Sequence, residues 1–240
     1  MQAVTFRPIR VTRFSHNIVE QIKTLVFSTR LEPGARLPSE KEFAQQFHVS
    51  RITVRDALRV LESQGLIQVR VGAGGGTFVA EPNSQVVSES LTTMLRLQKT
   101  HPRELAEARM IVETNIAALA AERATAADLK LLEESIDAAR QGQAAGDPNF
   151  TPYSVSFHVA LARAAKNSVL LFTVNSFRSL FYEVLEKLIP DPEMAAKAIE
   201  DHHRILQAVR ARDADHARDL MRAHLRYFQA RASKIELPLT

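Results

Sequence analysis

Residues 49–66 read VSRITVRDALRVLESQGL. Val54, Ala57, Leu58 and Leu61 recur with the period of a helix and give it one apolar face, Ser50 is suited to cap its start, and Gly65 to end it. The polar residues are placed unevenly. Ser50, Arg51, Thr53 and Arg55 all fall in the first two turns. In a helix-turn-helix only the N-terminal end of the second helix reaches base edges in the major groove, so a cationic, hydroxyl-bearing tip backed by an apolar face is what that insertion requires. Arg51 and Arg55, four residues apart, project from one face and suit guanine edges or phosphates, and the helix N-terminus adds a favourable site for phosphate. An ordinary amphipathic surface helix with solvated arginines is the plainer alternative, so the flanking sequence decides.

Upstream, SHNIVEQIKTLVFST places Ile18, Ile22, Leu25 and Val26 at helical spacing, and Pro33, Gly34 and Pro38 break that pattern. Ser39 with Glu42 three residues on forms a capping box for a short helix, EKEFAQQF, and HVS is a tight turn. Downstream, LIQVRV and TFVA alternate like strands about the turn GAGGG. Helix, helix, turn, helix and hairpin is the winged helix-turn-helix order. Lys41, at the start of the short helix, and Arg70, in the hairpin, are two further cations placed to meet a DNA backbone. Residues 1–82 carry eleven Lys/Arg against seven Asp/Glu, whereas residues 83–240 carry twenty of each, so the net charge of +4 belongs wholly to the first part. That asymmetry favours a polyanionic partner for residues 1–82 and another task for residues 83–240.

From residue 83 onward the chain is rich in Ala, Leu, Glu and Arg and has only Gly142 and Gly146 as glycines. Period-3.6 patterns predict about seven helices, near 84–97, 101–122, 126–141, 148–165, 168–189, 192–211 and 213–233, with Thr125/Asp128, Asp191-Pro192 and Asp213 as start signals. The expected fold is mainly α, a winged helix-turn-helix over 1–82 followed by an all-α bundle over 83–240. The absence of cysteine excludes disulfide scaffolds, thiolate zinc sites and cysteine nucleophiles. Arg7, Arg10, Arg13, Glu20 and Lys23 interrupt every apolar run near the start, and no segment reaches the ~18 apolar residues of a membrane span. A cytoplasmic protein without a membrane partner is the expectation.

Three histidines lie on apolar faces of separate predicted helices. His158 has Leu161, Ala162 and Ala165 at i+3, i+4 and i+7, His202 has Ile205, Leu206 and Val209 there, and His224 is flanked by Leu220, Met221 and Phe228. One such residue is ordinarily a hydrogen-bonded core histidine. Three in one bundle point further, because burying polar rings without partners is costly and a divalent metal satisfies all three at once. Arg109, with Glu113 four residues on, is either a clamp for an effector carboxylate or an ion pair. Asn167, at a helix break, is a cap and a candidate effector contact.

The stretch from residue 33 to 79, with Leu37-Pro38-Ser39-Glu40, the Val49-Ser50-Arg51 to Val54-Arg55 helix and the Gly-rich wing, resembles the winged helix-turn-helix of the GntR family. The resemblance implies that Lys41, Arg51, Thr53, Arg55 and Gly72 fall at positions that contact double-stranded operator DNA. Val71 stands where fatty-acid-responsive members carry histidine. EARMIVETNIAALAAERAT, SVSFHVALARAAKNSVL and HHRILQAVRARDADHARDLMRAHL resemble the FCD ligand-binding domain of the FadR-type subfamily. Metal-binding members use an aspartate one turn before the first histidine and two more histidines twenty-two residues apart; His158, His202 and His224 match, but the aspartate position is Ser154. The resemblance therefore implies a homodimeric transcriptional regulator, a repressor in the commoner arrangement of such families, that responds to a small carboxylate or sugar acid through zinc or nickel. Two other readings are a metal-dependent hydrolase with an accessory DNA-binding domain and an acyl-CoA-responsive regulator without metal.

Overall fold

The computed structural model describes residues 13–28, 30–81, 85–147, 150–187 and 192–232. The chain divides into two compact units, Met1–Val86 and Val87–Thr240. The expected domain boundary at 82/83, the helix starts at 84 and 148, the Asp191 cap and the helix ends at 189 and 233 fall outside the described residues.

The first unit contains α1 (Arg13–Phe27), α2 (Glu40–Phe47), α3 (Arg51–Ser63), β1 (Ile67–Arg70) and β2 (Gly76–Val79). Ser39 and Glu42 form the reciprocal capping box that starts α2, and His48 ends it in the left-handed conformation with φ 52°. Val54, Ala57, Leu58 and Leu61 of α3 are buried against Ile18, Val19 and Ile22 of α1, Phe43 of α2 and Ile67 and Val79 of the hairpin. Leu25 departs from the expected face: it is exposed, and Val19 takes the core position in its stead. The hairpin pairs Ile67 with Val79 and Arg70 with Gly76 in antiparallel register. A backbone bridge from Arg36 to Phe78 adds a third strand position to the sheet that the pattern did not announce.

The second unit holds α4 (Gln85–Leu97), α5 (Pro102–Arg123), α6 (Ala126–Ala144), α7 (Thr151–Ala164), α8 (Ser168–Lys187), α9 (Pro192–Arg210) and α10 (Ala214–Ala232). Among the described residues this makes ten helices and one two-stranded sheet in all. α5 carries fully buried Ala117, Ala120 and Ala121, small enough for α10 to lie close along it. The core continues through Leu132 and Ile136 of α6, Phe157 and Leu161 of α7, Ile205, Leu206 and Val209 of α9, and Met221 and Leu225 of α10. Thr125 and Asp128 build the capping box of α6, and Asp213 caps α10 by accepting from the His216 amide.

Helix ends are closed across the fold as well as locally. Arg212, held at φ 61° between α9 and α10, donates from its guanidinium to the Ala121 and Ala124 carbonyls at the end of α5. Arg123 in turn donates to the Ala165 carbonyl at the end of α7. These bonds satisfy carbonyls that have no partner within their own helices.

Candidate functional site

In the first unit, the tip of α3 is built by its own cap. The Ser50 hydroxyl accepts from the Thr53 amide at 3.1 Å and lies 2.9 Å from the Thr53 hydroxyl, so the expected contact residues Ser50 and Thr53 first serve to start the helix. Arg55, also expected at the interface, is engaged by Glu40, the first residue of α2: Nε donates to Oε1 at 2.9 Å and Nη2 to Oε2 at 2.8 Å. Arg51 approaches the same carboxylate at 3.6 Å. The Arg55 hydrogen bonds hold the Glu40 carboxyl below its ordinary value and raise the guanidinium in return. Lys41 is exposed on the next position of α2.

The wing gathers Arg70 and Gly72. Arg70 lies over the Phe78 ring, 4.4 Å from its centroid, a cation–π contact that orients the side chain. Gly72 has φ +104°, and a Cβ there would meet nothing within 4 Å, so the position demands glycine for its backbone rather than for space. Arg36 anchors the turn by donating to the Gly75 carbonyl at 2.9 Å. Val71 projects at the wing, 98% exposed.

Sequence reasoning missed Glu40, Arg36 and Ile52. Glu40 and Arg36 act through tertiary proximity, for which a linear spacing gives no signal. Ile52 did carry one: it is an apolar residue on the polar side of the helix, and it is 70% exposed beside Arg51.

In the second unit, His158 of α7, His202 of α9 and His224 of α10 converge. They are 3%, 1% and 2% exposed, and each offers a ring nitrogen such that these atoms lie within 4.8 Å of one another. His202 stacks on Phe157. Nε2 of His158 and Nε2 of His202 are buried without a hydrogen-bond partner. Glu113 Oε2 pairs with His158 Nδ1 at 2.5 Å, which links that ring to the Arg109–Glu113 pair. His224 Nδ1 faces Asp201 Oδ2 at 3.3 Å, and Asp201 also pairs with Lys197.

The electrostatics keep the rings neutral. Burial pushes His224 down to about 4, against a partial pull upward from Asp201. Burial likewise lowers His158, opposed by Glu113, and takes His202 well below its ordinary value, with His224 adding to the effect. Burial alone would raise the Glu113 carboxyl; Arg109 and His158 outweigh it and bring the group to about 2. Three neutral imidazoles around unsatisfied nitrogens form a donor set that fits a divalent metal. Ser154, one turn before His158, is buried and brings no negative charge.

Arg109 and Glu113 form a buried ion pair with Nε to Oε1 at 2.5 Å, and the Arg109 charge also depresses all three histidines. Asn167 caps α8, its Oδ1 accepting from the Val169 and Leu170 amides at 3.0 and 3.2 Å.

Comparison with known proteins bears on both units. Residues 14–79 match the bacterial regulatory proteins of the gntR family, and residues 104–227 match the FCD domain. The transcriptional regulator LutR of Bacillus subtilis is 32% identical over 206 residues, covering 84% of this chain and 93% of that protein. The chain belongs to the GntR family. Like its GntR relatives it is a DNA-binding transcriptional regulator, with an FCD effector domain. The transcriptional repressor NanR of Cronobacter sakazakii is 29% identical, covering 91% of this chain and 85% of its own. A solved GntR structure from Streptococcus agalactiae superposes with a TM-score of 0.69 at 26% identity, covering 91% of this chain and 99% of that one. Among the described residues no helix is long and apolar enough to cross a membrane.

Proposed function

We propose that this GntR-family regulator is a cytoplasmic homodimeric repressor, without enzymatic activity, whose grip on operator DNA is set by a small carboxylate or sugar acid bound at a metal centre on His158, His202 and His224. The observation that carries this reading is the group of three buried, neutral imidazoles that each offer a ring nitrogen within 4.8 Å of the others, with His158 Nε2 and His202 Nε2 left without a hydrogen-bond partner. A bound divalent ion, zinc or nickel, supplies Lewis-acid positions for an effector carboxylate. Arg109 lies close enough for its charge to act on all three rings and is the residue to receive the effector's remaining negative charge. Asn167 has only its Nδ2 group to offer an effector, since Oδ1 is taken by the α8 cap.

Residues 1–82 would bind DNA and residues 83–240 the effector and the second protomer. Lys41, Arg51, Arg55 and Arg70 supply charge to the DNA surface, Ser50 and Thr53 hydroxyl groups and the Gly72 turn the wing conformation. Two recognition helices reading half-sites about one helical turn apart fit a two-fold dimer on a palindromic operator. An effector would change the relation of the two reading heads through a coupling of about 1–3 kcal/mol. The relative named NanR as a repressor supports that sign of regulation.

Metal analysis of the purified protein, before and after resupply of zinc or nickel, tests the centre, and thermal-shift screening of carboxylic and sugar acids with each metal tests the effector class. The expected result is bound metal in the parent, none after joint replacement of His158, His202 and His224 by Ala, and acid-dependent stabilisation only with metal. A parent that takes up no metal on resupply sinks the reading.

A further inference from the structure

The recognition helix is furnished with two arginines, yet the residue between them in space is an acid from another helix. Glu40 opens α2, fifteen residues before Arg55, and its carboxylate takes the Nε and Nη2 edge of that guanidinium with two bonds of 2.9 and 2.8 Å. A guanidinium has five N–H donors in a fixed plane. Two are spent on Glu40, and two of the three that remain lie along the Nη1–Nη2 edge, a pair able to meet O6 and N7 of guanine in the commonest specific protein–DNA contact. Arg51 has only a single, longer approach of 3.6 Å to the same carboxylate and is the more exposed of the two.

We propose that Glu40 is a positioning residue for DNA reading: it locks Arg55 as a planar fork aimed at a guanine, and leaves Arg51 as the less restrained cation. Locking matters because a long arginine side chain otherwise gives up rotamer freedom on binding, a cost already met in a preformed fork. The same carboxylate removes one positive charge from a surface that binds any phosphate backbone, so it lowers affinity for wrong sequences while sharpening the right one. A glutamate at the first turn of a helix also favours that helix electrostatically, which is the competing, purely structural role.

The two roles separate in one experiment on the full-length protein. A duplex is enriched by the parent from a randomised pool, and affinities for it and for a scrambled duplex of equal composition are measured by fluorescence anisotropy at two salt concentrations. For Glu40→Gln the ratio of the two affinities is expected to fall by roughly tenfold or more, the scale set by one bidentate base contact. The scrambled duplex should bind more tightly and with a steeper salt dependence, by a slope of up to about 0.9 for one added phosphate contact. A pool reselected with this variant should lose a guanine preference at one position per half-site. Glu40→Asp is the second variant, retaining the charge but not the reach: the ratio falls while the scrambled duplex binds as in the parent. An unchanged ratio in both variants overturns the proposal, whether affinities stay put or fall equally with the unfolding temperature.

Discussion

His202 lies flat on Phe157, their ring centroids 4.0 Å apart and their planes 11° from parallel. Both side chains are fully enclosed, so Phe157 fixes the plane of an imidazole that has no hydrogen-bond partner at Nε2. Replacing Phe157 by Ala should cost about 3–5 kcal/mol in urea unfolding of metal-free protein, the range for losing a buried aromatic ring. Zinc affinity, measured by competition with a chelating dye, should fall about tenfold or more, because a ligand that has lost its support no longer stands ready. Unaltered zinc affinity would disconnect the stack from the centre.

Metal should act as a ligand of the folded state alone. At about one hundred times its dissociation constant, zinc is expected to stabilise the protein by about 2.7 kcal/mol, visible as a rise in unfolding temperature that chelator reverses. His224→Ala should abolish that rise, whereas substitutions in the first unit should preserve it.

Acid should weaken the metal-free protein in a defined window. In the unfolded chain a histidine takes up its proton near 6.5, but buried His224 does so only near 4. Between those values the unfolded state binds more protons, so stability is full above about 6.5 and falls as pH drops toward 4. His158 and His202 are shifted in the same direction. Each contributes at most about 1.4 kcal/mol per pH unit. Urea midpoints taken across this range in chelator check the slope, and a flat profile contradicts the burial of uncharged rings.

Gly142 lies under Tyr153, where an added Cβ would fall 2.7 Å from the ring. Gly142→Ala should therefore lose about 1–3 kcal/mol by overpacking, although alanine is the better helix former. Tyr153→Ala should relieve that penalty, so a double-mutant cycle gives a coupling of opposite sign to the single loss.

Ile52 offers an exposed methyl-bearing side chain next to Arg51, the kind of group that packs on a thymine methyl. Ile52→Ala should weaken binding to the enriched duplex by about 1 kcal/mol, the scale of one or two buried methylenes, and leave the unfolding temperature within error. Equal weakening on a scrambled duplex would deny it a base contact.

Much of this arrangement was legible from residues near one another in the chain. Ser39 with Glu42 and Thr125 with Asp128 announced helix starts that are reciprocal capping boxes in the fold. The i+3, i+4 and i+7 offsets of His158 and His202 announced burial. Convergence on a shared metal was suggested by their number and by the family resemblance, since the periodicity of three separate helices does not itself say that their ring nitrogens meet. Leu25 was misassigned because Val19 occupies the same broad helix face and the partner helix reaches that side. Glu40 escaped notice for a related reason. Its capping neighbour Ser39 explained its position locally, while its hydrogen bonds to Arg55 arise only when α2 and α3 pack. Arg36 was likewise hidden, as a single bridge to Phe78 leaves no period in the sequence.

The guanidinium of Arg212 on the end of α5, and that of Arg123 on the end of α7, tie the termination of one helix to the seating of the next. Stripping a buried carbonyl of its donor is expensive, so neither helix can fray without disturbing its neighbour. Slow amide exchange should then lapse together across α5 and α7 instead of peeling away segment by segment. An all-or-none bundle of that kind would feel the filling of its proposed centre as a single mechanical event, the response asked of an effector domain.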